Sequence, residues 1–321
     1  DERYWSIVTE DLEWAGPIEY FSPDRSGMNP YNHQGTWVYG TLPLFATKAA
    51  AEFLESDSLI SERFVSLADQ VGINLIDEKV NPKNKAFNSG YEVQLVGRLL
   101  SALLDTGTVL LAYLLGKALF NRPSGFFSAL LLTFTPLHLQ YSHFHGAEIW
   151  ATFFATAVIL MSSHLYRSAS SLPPNQTFLT NQTISASLFI GALTGMGAAS
   201  KFTVAFVIIA PVVVLAVTWI TKLRDSQQNR NGFFRANEAI SLISITGLSA
   251  ILSFRIFQPY AFDGLGKLSD DFLKDLDYLN AVNSGGDYPW VVQWVGRSPF
   301  FYPFKSIFWS GMGPALSIIV C

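Results

Sequence analysis

Polar and apolar positions along this chain separate into a polar first third and a series of long apolar runs. The runs occupy about 93–120, 125–139, 149–166, 184–199, 202–220 and 239–257, and a seventh begins near Ser306. With its flanks, each is long enough as a helix to cross a hydrocarbon layer of about 30 Å. The pattern therefore predicts a bundle of about seven spans over 94–321, preceded by a loop domain over 1–93 and interrupted by a second loop over 258–305. Within the first loop, apolar residues recur at helical spacing over 42–54 and 58–76, which predicts amphipathic helices. Residues 1–13 read as another short helix. Such helices lie on a membrane surface or pack within a loop domain, and the pattern alone leaves both open. The expected fold class is an all-α polytopic membrane protein, a transmembrane helix bundle with a large first loop bearing amphipathic helices.

Composition strengthens this picture. Half of the 321 residues are apolar and 14% are charged, whereas a soluble domain carries roughly a quarter charged residues. A net charge of −4 argues against nucleic acid as a partner, because that polyanion is bound by basic surfaces. The single cysteine, Cys321, leaves no internal disulfide and no cysteine metal cluster. The chain opens on Asp1 without an apolar lead-in and closes within an apolar run, which reads as a fragment of a longer protein; a processed terminus at Asp1 is the alternative.

The basic residues of the short loops set the expected orientation. Lys117 and Arg122, then Arg167, then Lys222, Arg224, Arg230 and Arg235 fall on one side if every span crosses, and that side is expected to be cytoplasmic. Residues 1–93, with fifteen acidic and seven basic residues, then face outward, together with the turn at His143–Glu148, the Ser200–Lys201 junction and the loop 258–305. Two Asn-Gln-Thr sequons, at Asn175 and Asn181, fall on the cytoplasmic side and read as chance occurrences.

The candidate chemistry collects on the expected outer face. Between two apolar runs, Tyr141–Glu148 carries two histidines and a carboxylate. A polar cluster at a membrane surface is a functional-site candidate, with a solvated interhelical loop as the plain alternative. Asp1, Glu2, Arg98, Lys201, Arg255, Gln258 and Tyr260 join His143, His145 and Glu148 at that depth. Lys201 has no acid beside it in sequence, so it either snorkels to the interface or neutralises an anionic lipid head. Arg98 and Arg255 either grip a phosphate bidentately or form intramembrane ion pairs, Asp105 being a ready partner for Arg98 two turns away. Cations and carboxylates together suit transfer from a lipid-linked phosphate. The leaving phosphate needs positive charge rather than a proton, and an acceptor hydroxyl gains from a carboxylate base. A carboxylate pair around a divalent cation is an alternative use. Zinc on His143, His145 and Glu148 is another, although no fourth ligand is evident and no metal is assigned.

At these motifs the chain resembles polytopic GT-C glycosyltransferases, especially the lipid-carrier-dependent family 39 type, which includes protein O-mannosyltransferases and aminoarabinose transferases. Asp1-Glu2-Arg3-Tyr4 is similar to the Asp-Glu motif that follows the family's first membrane helix. Gly97–Leu103 and Tyr113–Phe120 resemble its second helix. Thr135–His143 with Glu148 resembles its third helix and outer turn, and Gly191–Lys201 resembles a small-residue helix closing on a lysine. The likeness is good over about 90–260, partial over 1–45 and weak at the end. It implies a polyprenyl-phosphate-linked sugar as donor, surrounding membrane lipids, an acceptor left unnamed, and catalysis on the outer face of a multi-pass protein of a prokaryotic plasma membrane. By that resemblance Asp1 stands where the family has its essential carboxylate, with Glu2 beside it. Glu148 fills a second acidic position where Asp is common, and His145 assists or orients. Lys201 best matches the cationic contact to the lipid phosphate. Arg98, Arg255, His143, Gln258 and Tyr260 complete the expected substrate-binding set. The loop from Gln258 onward, with Asp287-Tyr288-Pro289-Trp290 and Gln293-Trp294, departs from the common mannosyltransferase pattern and looks closer to bacterial or archaeal members, so sugar and acceptor stay open.

The expectation is thus a transferase in which Asp1 takes the acceptor proton and a single displacement inverts the anomeric centre. It requires Asp1, Glu148 and Lys201 to gather on one leaflet. Two other classes compete. A transporter or flippase would place polar groups at mid-depth, often on broken helices. A non-catalytic subunit of a membrane complex would keep the apolar pattern but lose the carboxylates.

Overall fold

The computed structural model describes residues 2–56, 90–173, 176–225, 231–264, 266–283 and 295–320, with Arg63, Ser66, Leu67 and Gln70. Most of the expected helix over 58–76, the loop motifs Asp287–Trp290 and Gln293–Trp294, and Asp1 itself lie outside the described residues. Among the described residues, the α-helices α1 (Glu2–Asp11), α2 (Pro30–Gln34) and α3 (Leu42–Glu55) precede the bundle. Then come α4 (Gly90–Leu119), α5 (Arg122–Thr133), α6 (Pro136–Ser142), α7 (Ala147–Ser171), α8 (Asn181–Ala198), α9 (Ile209–Asp225) and α10 (Asn231–Phe257). After a small antiparallel ribbon, β1 (Phe262–Asp263) against β2 (Lys267–Leu268), follow α11 (Asp270–Asn283), α12 (Phe301–Ser306) and α13 (Pro314–Val320). The expected all-α polytopic class holds.

Four helices are long and apolar enough to cross a membrane among the described residues: Glu92–Leu119, Ala147–Ser171, Phe202–Lys222 and Ala236–Phe257. The other three expected runs differ, two of them for identifiable reasons. The run over 125–139 divides into α5 and α6 because Pro136 holds Thr135 extended, at φ −75° and ψ 112°; a residue before proline is pushed out of the helical region. α8 opens on Asn181, Gln182 and Thr183, ahead of the expected run over 184–199, and is not among those four. The last run is divided at Gly313, whose φ of 77° no helix continues through, followed by Pro314.

The chain folds as two compact units, each with its own packing. The first comprises residues 1–103, 134–147 and 259–321. Its core begins with α1, which places Trp5 and Val8 on one face, and with Leu12 just past its end, against Met28, Tyr31, Trp37, Leu44, Phe45 and Tyr260. Burying each of the larger side chains stabilises by about 1.5–3 kcal/mol. Trp5 meets Trp37 edge-on at 4.8 Å, a favoured aromatic geometry. α2 starts at Asn29, whose side chain accepts from the Tyr31 N–H at 3.1 Å with Pro30 at the first helical position. It stops at Gly35, which takes φ 73°. α11 joins this core through Asp275, which is buried and accepts from the Tyr31 hydroxyl at 2.8 Å and the Trp37 N–H at 3.2 Å.

The second unit comprises residues 104–133 and 148–258. Here α8 and α10 pack backbone to backbone. A Cβ on Gly191 would collide with the Thr246 carbonyl and Ser249, and one on Gly195 with the Ala250 carbonyl and Ser253. The same serines donate across the contact, Ser249 Oγ to the Leu188 carbonyl at 2.7 Å and Ser253 Oγ to the Ala192 carbonyl at 2.9 Å. Small residues and hydroxyls at a helix contact are how helices associate where hydrocarbon removes the hydrophobic drive. α8 opens with a capping box in which Thr180 and Thr183 satisfy each other's backbone N–H. Thr183 also donates to the Phe178 carbonyl, and Glu238 on α10 accepts from the Thr177 hydroxyl at 2.6 Å and the Phe178 N–H at 2.7 Å. Lys222 Nζ closes the end of α7 by donating to the carbonyls of Ser170 and Leu172, both at 2.7 Å.

Candidate functional site

In the first unit a carboxylate clamp gathers residues far apart in sequence. Glu2 sits in the first turn of α1, where the helix dipole favours a negative charge. Arg98, in the third turn of α4, donates from Nε to Glu2 Oε1 at 2.6 Å and from Nη2 to Oε2 at 2.7 Å. This is the forked, charge-assisted geometry that lysine cannot reproduce. The backbone N–H of His145 adds a third bond to Oε1 at 2.8 Å, and the Gln94 side chain adds another. Burial alone would raise the Glu2 carboxyl, but the bonds from Arg98, His145 and Gln94 outweigh it and hold the group below its ordinary value. The expected partner for Arg98 was Asp105, within its own helix. The structure gives Arg98 a forked bond to Glu2, ninety-six residues away.

His145 is buried, and its ring packs beside Trp5 with centroids 5.4 Å apart. Its Nε2 lies 3.1 Å from Thr47 Oγ1 on α3, and Thr47 also bonds the Pro43 carbonyl at 2.8 Å. The ring also lies against Gly97 of α4, where a Cβ would fall inside the imidazole. Burial pushes His145 down to about 4, against a smaller upward pull from Glu2, so the ring is neutral at ordinary pH. Thr47 and Gly97 were not among the expected residues. Gly97 had a legible signal, since a glycine inside an apolar helix suggests a close approach. Thr47 had none.

In the second unit Glu148 opens α7 and Lys201 stands at the turn after α8. Lys201, which sequence showed without a neighbouring acid, reaches Glu148 Oε1 at 3.2 Å. Both side chains keep about a third or more of their surface open, 40% for Lys201 and 33% for Glu148. Such an exposed pair adds little stability, so both charges stay accessible to solutes. An ammonium has three donors, and this bond uses one of them. Gln258 is buried at the end of α10, and Arg255 occupies the last turn of the same helix.

The remaining expected residues, Tyr260 and His143, also lie in the first unit. Tyr260 is a core residue, 1% exposed, with its hydroxyl 2.7 Å from Ser26 Oγ. His143 is exposed and caps α6, its Nδ1 2.7 Å from the Leu139 carbonyl. Asp275, which sequence did not single out, shares the buried face of α11 with Phe272; an acid in phase with an apolar residue was the available signal. Among the described residues no group of three or more His, Cys, Asp or Glu side chains is placed to hold a metal ion.

Apolar helices of spanning length and charged groups at their ends define a polytopic helical membrane protein. Residues 90–228 match the family model described as dolichyl-phosphate-mannose-protein mannosyltransferase. That match supports a membrane glycosyltransferase of the GT-C type. The matched segment contains Arg98, His143, His145, Glu148 and Lys201, while Glu2, Arg255, Gln258 and Tyr260 lie outside it. No curated protein and no solved structure matches the chain.

Proposed function

We propose that this chain transfers a sugar from a polyprenyl-phosphate carrier to an acceptor hydroxyl on the extracytoplasmic side of a prokaryotic plasma membrane, with inversion. The acceptor oxygen attacks the anomeric carbon, the bond from that carbon to the phosphate oxygen breaks, and polyprenyl phosphate leaves as an anion. Asp1 takes the hydroxyl proton, the role a positioned carboxylate fills at a weak nucleophile. Lys201 stabilises the departing phosphate with the donors it does not give to Glu148. Arg255, Gln258 and His143 remain candidates for contacts to the lipid head. Arg98, Glu2 and His145 serve as scaffold for the carboxylate at Asp1, and Tyr260 belongs to the core.

The observation that carries this reading is the forked Arg98–Glu2 bond. A residue inside the segment matched by the glycosyltransferase family takes hold of the carboxylate next to Asp1, and so ties that motif to the matched helix. The test uses the protein in vesicles with mannosyl-phosphoryl-polyprenol, and in parallel an aminoarabinosyl donor, each labelled in the sugar. Asp1→Asn is expected to lower transfer by about 10²–10⁴-fold; transfer undiminished by the change removes Asp1 from the role. A second reading, a flippase for the lipid-linked sugar, draws on the break at Thr135 between α5 and α6, since interrupted helices mark transporter sites. Labelled donor that crosses the bilayer with no sugar leaving its carrier would favour it.

A further inference from the structure

We propose that His145 is a positioning residue locked as the neutral Nε2–H tautomer by Thr47, and that it carries no proton in the reaction. This rests on the reading of the Asp1–Glu2 motif given above, and it assigns new parts to Thr47 and Gly97. The hydroxyl of Thr47 has one hydrogen, which the Pro43 carbonyl accepts at 2.8 Å. With that hydrogen on Pro43, the oxygen faces His145 Nε2, at 3.1 Å, with a lone pair, which assigns the proton to Nε2. The other nitrogen agrees. Nδ1 is buried and has no hydrogen-bond partner among the described residues. A proton placed there would be an unsatisfied buried donor, whereas a bare lone pair forfeits less.

The charged groups packed around the ring oppose each other. Glu2 on α1 favours an imidazolium and Arg98 on α4 disfavours it, while the bond from α3 is to the uncharged Thr47. With burial added, the ring stays neutral through the range in which free histidine titrates. Gly97 completes the lock, because any side chain there would occupy the space of the imidazole. The ring is thereby wedged among α1, α3 and α4. Its backbone N–H is held on Glu2 Oε1 at 2.8 Å, which fixes the carboxylate one residue from Asp1.

The test needs no sugar transfer, so its failure is distinct from failure of the transferase reading. Long-range 1H–15N spectra of histidine-labelled protein in nanodiscs report each ring's tautomer and charge. The His145 signal is assigned by elimination, replacing His33, His138, His143 and His164 in turn, so the buried ring is left intact. The expected result is an Nε2–H pattern that does not change between about pH 5 and 8. Thr47→Val should turn that pattern into a mixture of tautomers, and Thr47→Ser should retain it. A His145 signal that titrates within that range, or that shows Nδ1–H in the unaltered protein, overturns the proposal. So does a Thr47→Val protein that folds with its His145 pattern unchanged.

Discussion

Arg98 turns two of its N–H groups onto one carboxylate, and Glu2 receives them with a side chain only 13% exposed. Arg98→Lys keeps the charge but not the fork. We expect it to lower stability by about 1–3 kcal/mol, read as an earlier thermal transition in detergent. The pH dependence has a definite sign. Glu2 is held below its ordinary value of 4.5, so its contribution is present above that value and is lost as pH falls through the lower folded-state value. The transition temperature of the unaltered protein should therefore lose this contribution below about pH 4.5, whereas Glu2→Gln should lack that part of the decline. Parallel curves for the two proteins in that interval would show that the clamp contributes nothing. At this scale the residue types of the site were legible in sequence and their pairings were not. Arg98 stood out as a charge in an apolar run, as did Lys201, but each finds its acid 96 or 53 residues away. Helical periodicity specifies a face and is silent about what packs on it.

Among the elements, the contact of α8 with α10 makes a demand that can be separated from helix propensity. Gly195 lies where a Cβ would meet the Ala250 carbonyl, whereas Gly247 on α10 has nothing within 4 Å of its would-be Cβ. Gly195→Val should force the helices apart at a cost of about 1–3 kcal/mol. Gly247→Ala should stabilise by about 0.5–1 kcal/mol, the usual gain when a helical glycine is replaced in open space. Equal effects from the two, measured by thermal unfolding, would mean that the close approach is not there. The long helices were legible from apolar runs, and α1 and α3 from spacing. The division of the 125–139 run was written in Pro136, but an apolar run outweighs one proline when length is the criterion. The run over 184–199 likewise left out the first turn of α8, which begins at Asn181 on the Thr180 cap.

At the scale of the molecule, four helices of 28, 25, 21 and 22 residues among the described residues meet the length and apolarity of a span. They carry exposed side chains such as Leu110, Ile159, Val217 and Ile251, a surface suited to lipid rather than water. The protein should stay in the pellet when membranes are washed at alkaline pH and enter solution only with detergent. Release by the wash alone would count against integral insertion.

The opening of α8 has one more consequence. Both Asn-Gln-Thr triplets, at Asn175 and Asn181, end in a threonine whose hydroxyl the fold already uses, Thr177 on Glu238 at 2.6 Å and Thr183 on the Phe178 carbonyl. Attachment of an N-linked glycan depends on that hydroxyl being free to join the acceptor asparagine. Once α8 is wound both threonine hydroxyls are engaged within the fold, while Thr177 and Asn181 themselves stay exposed.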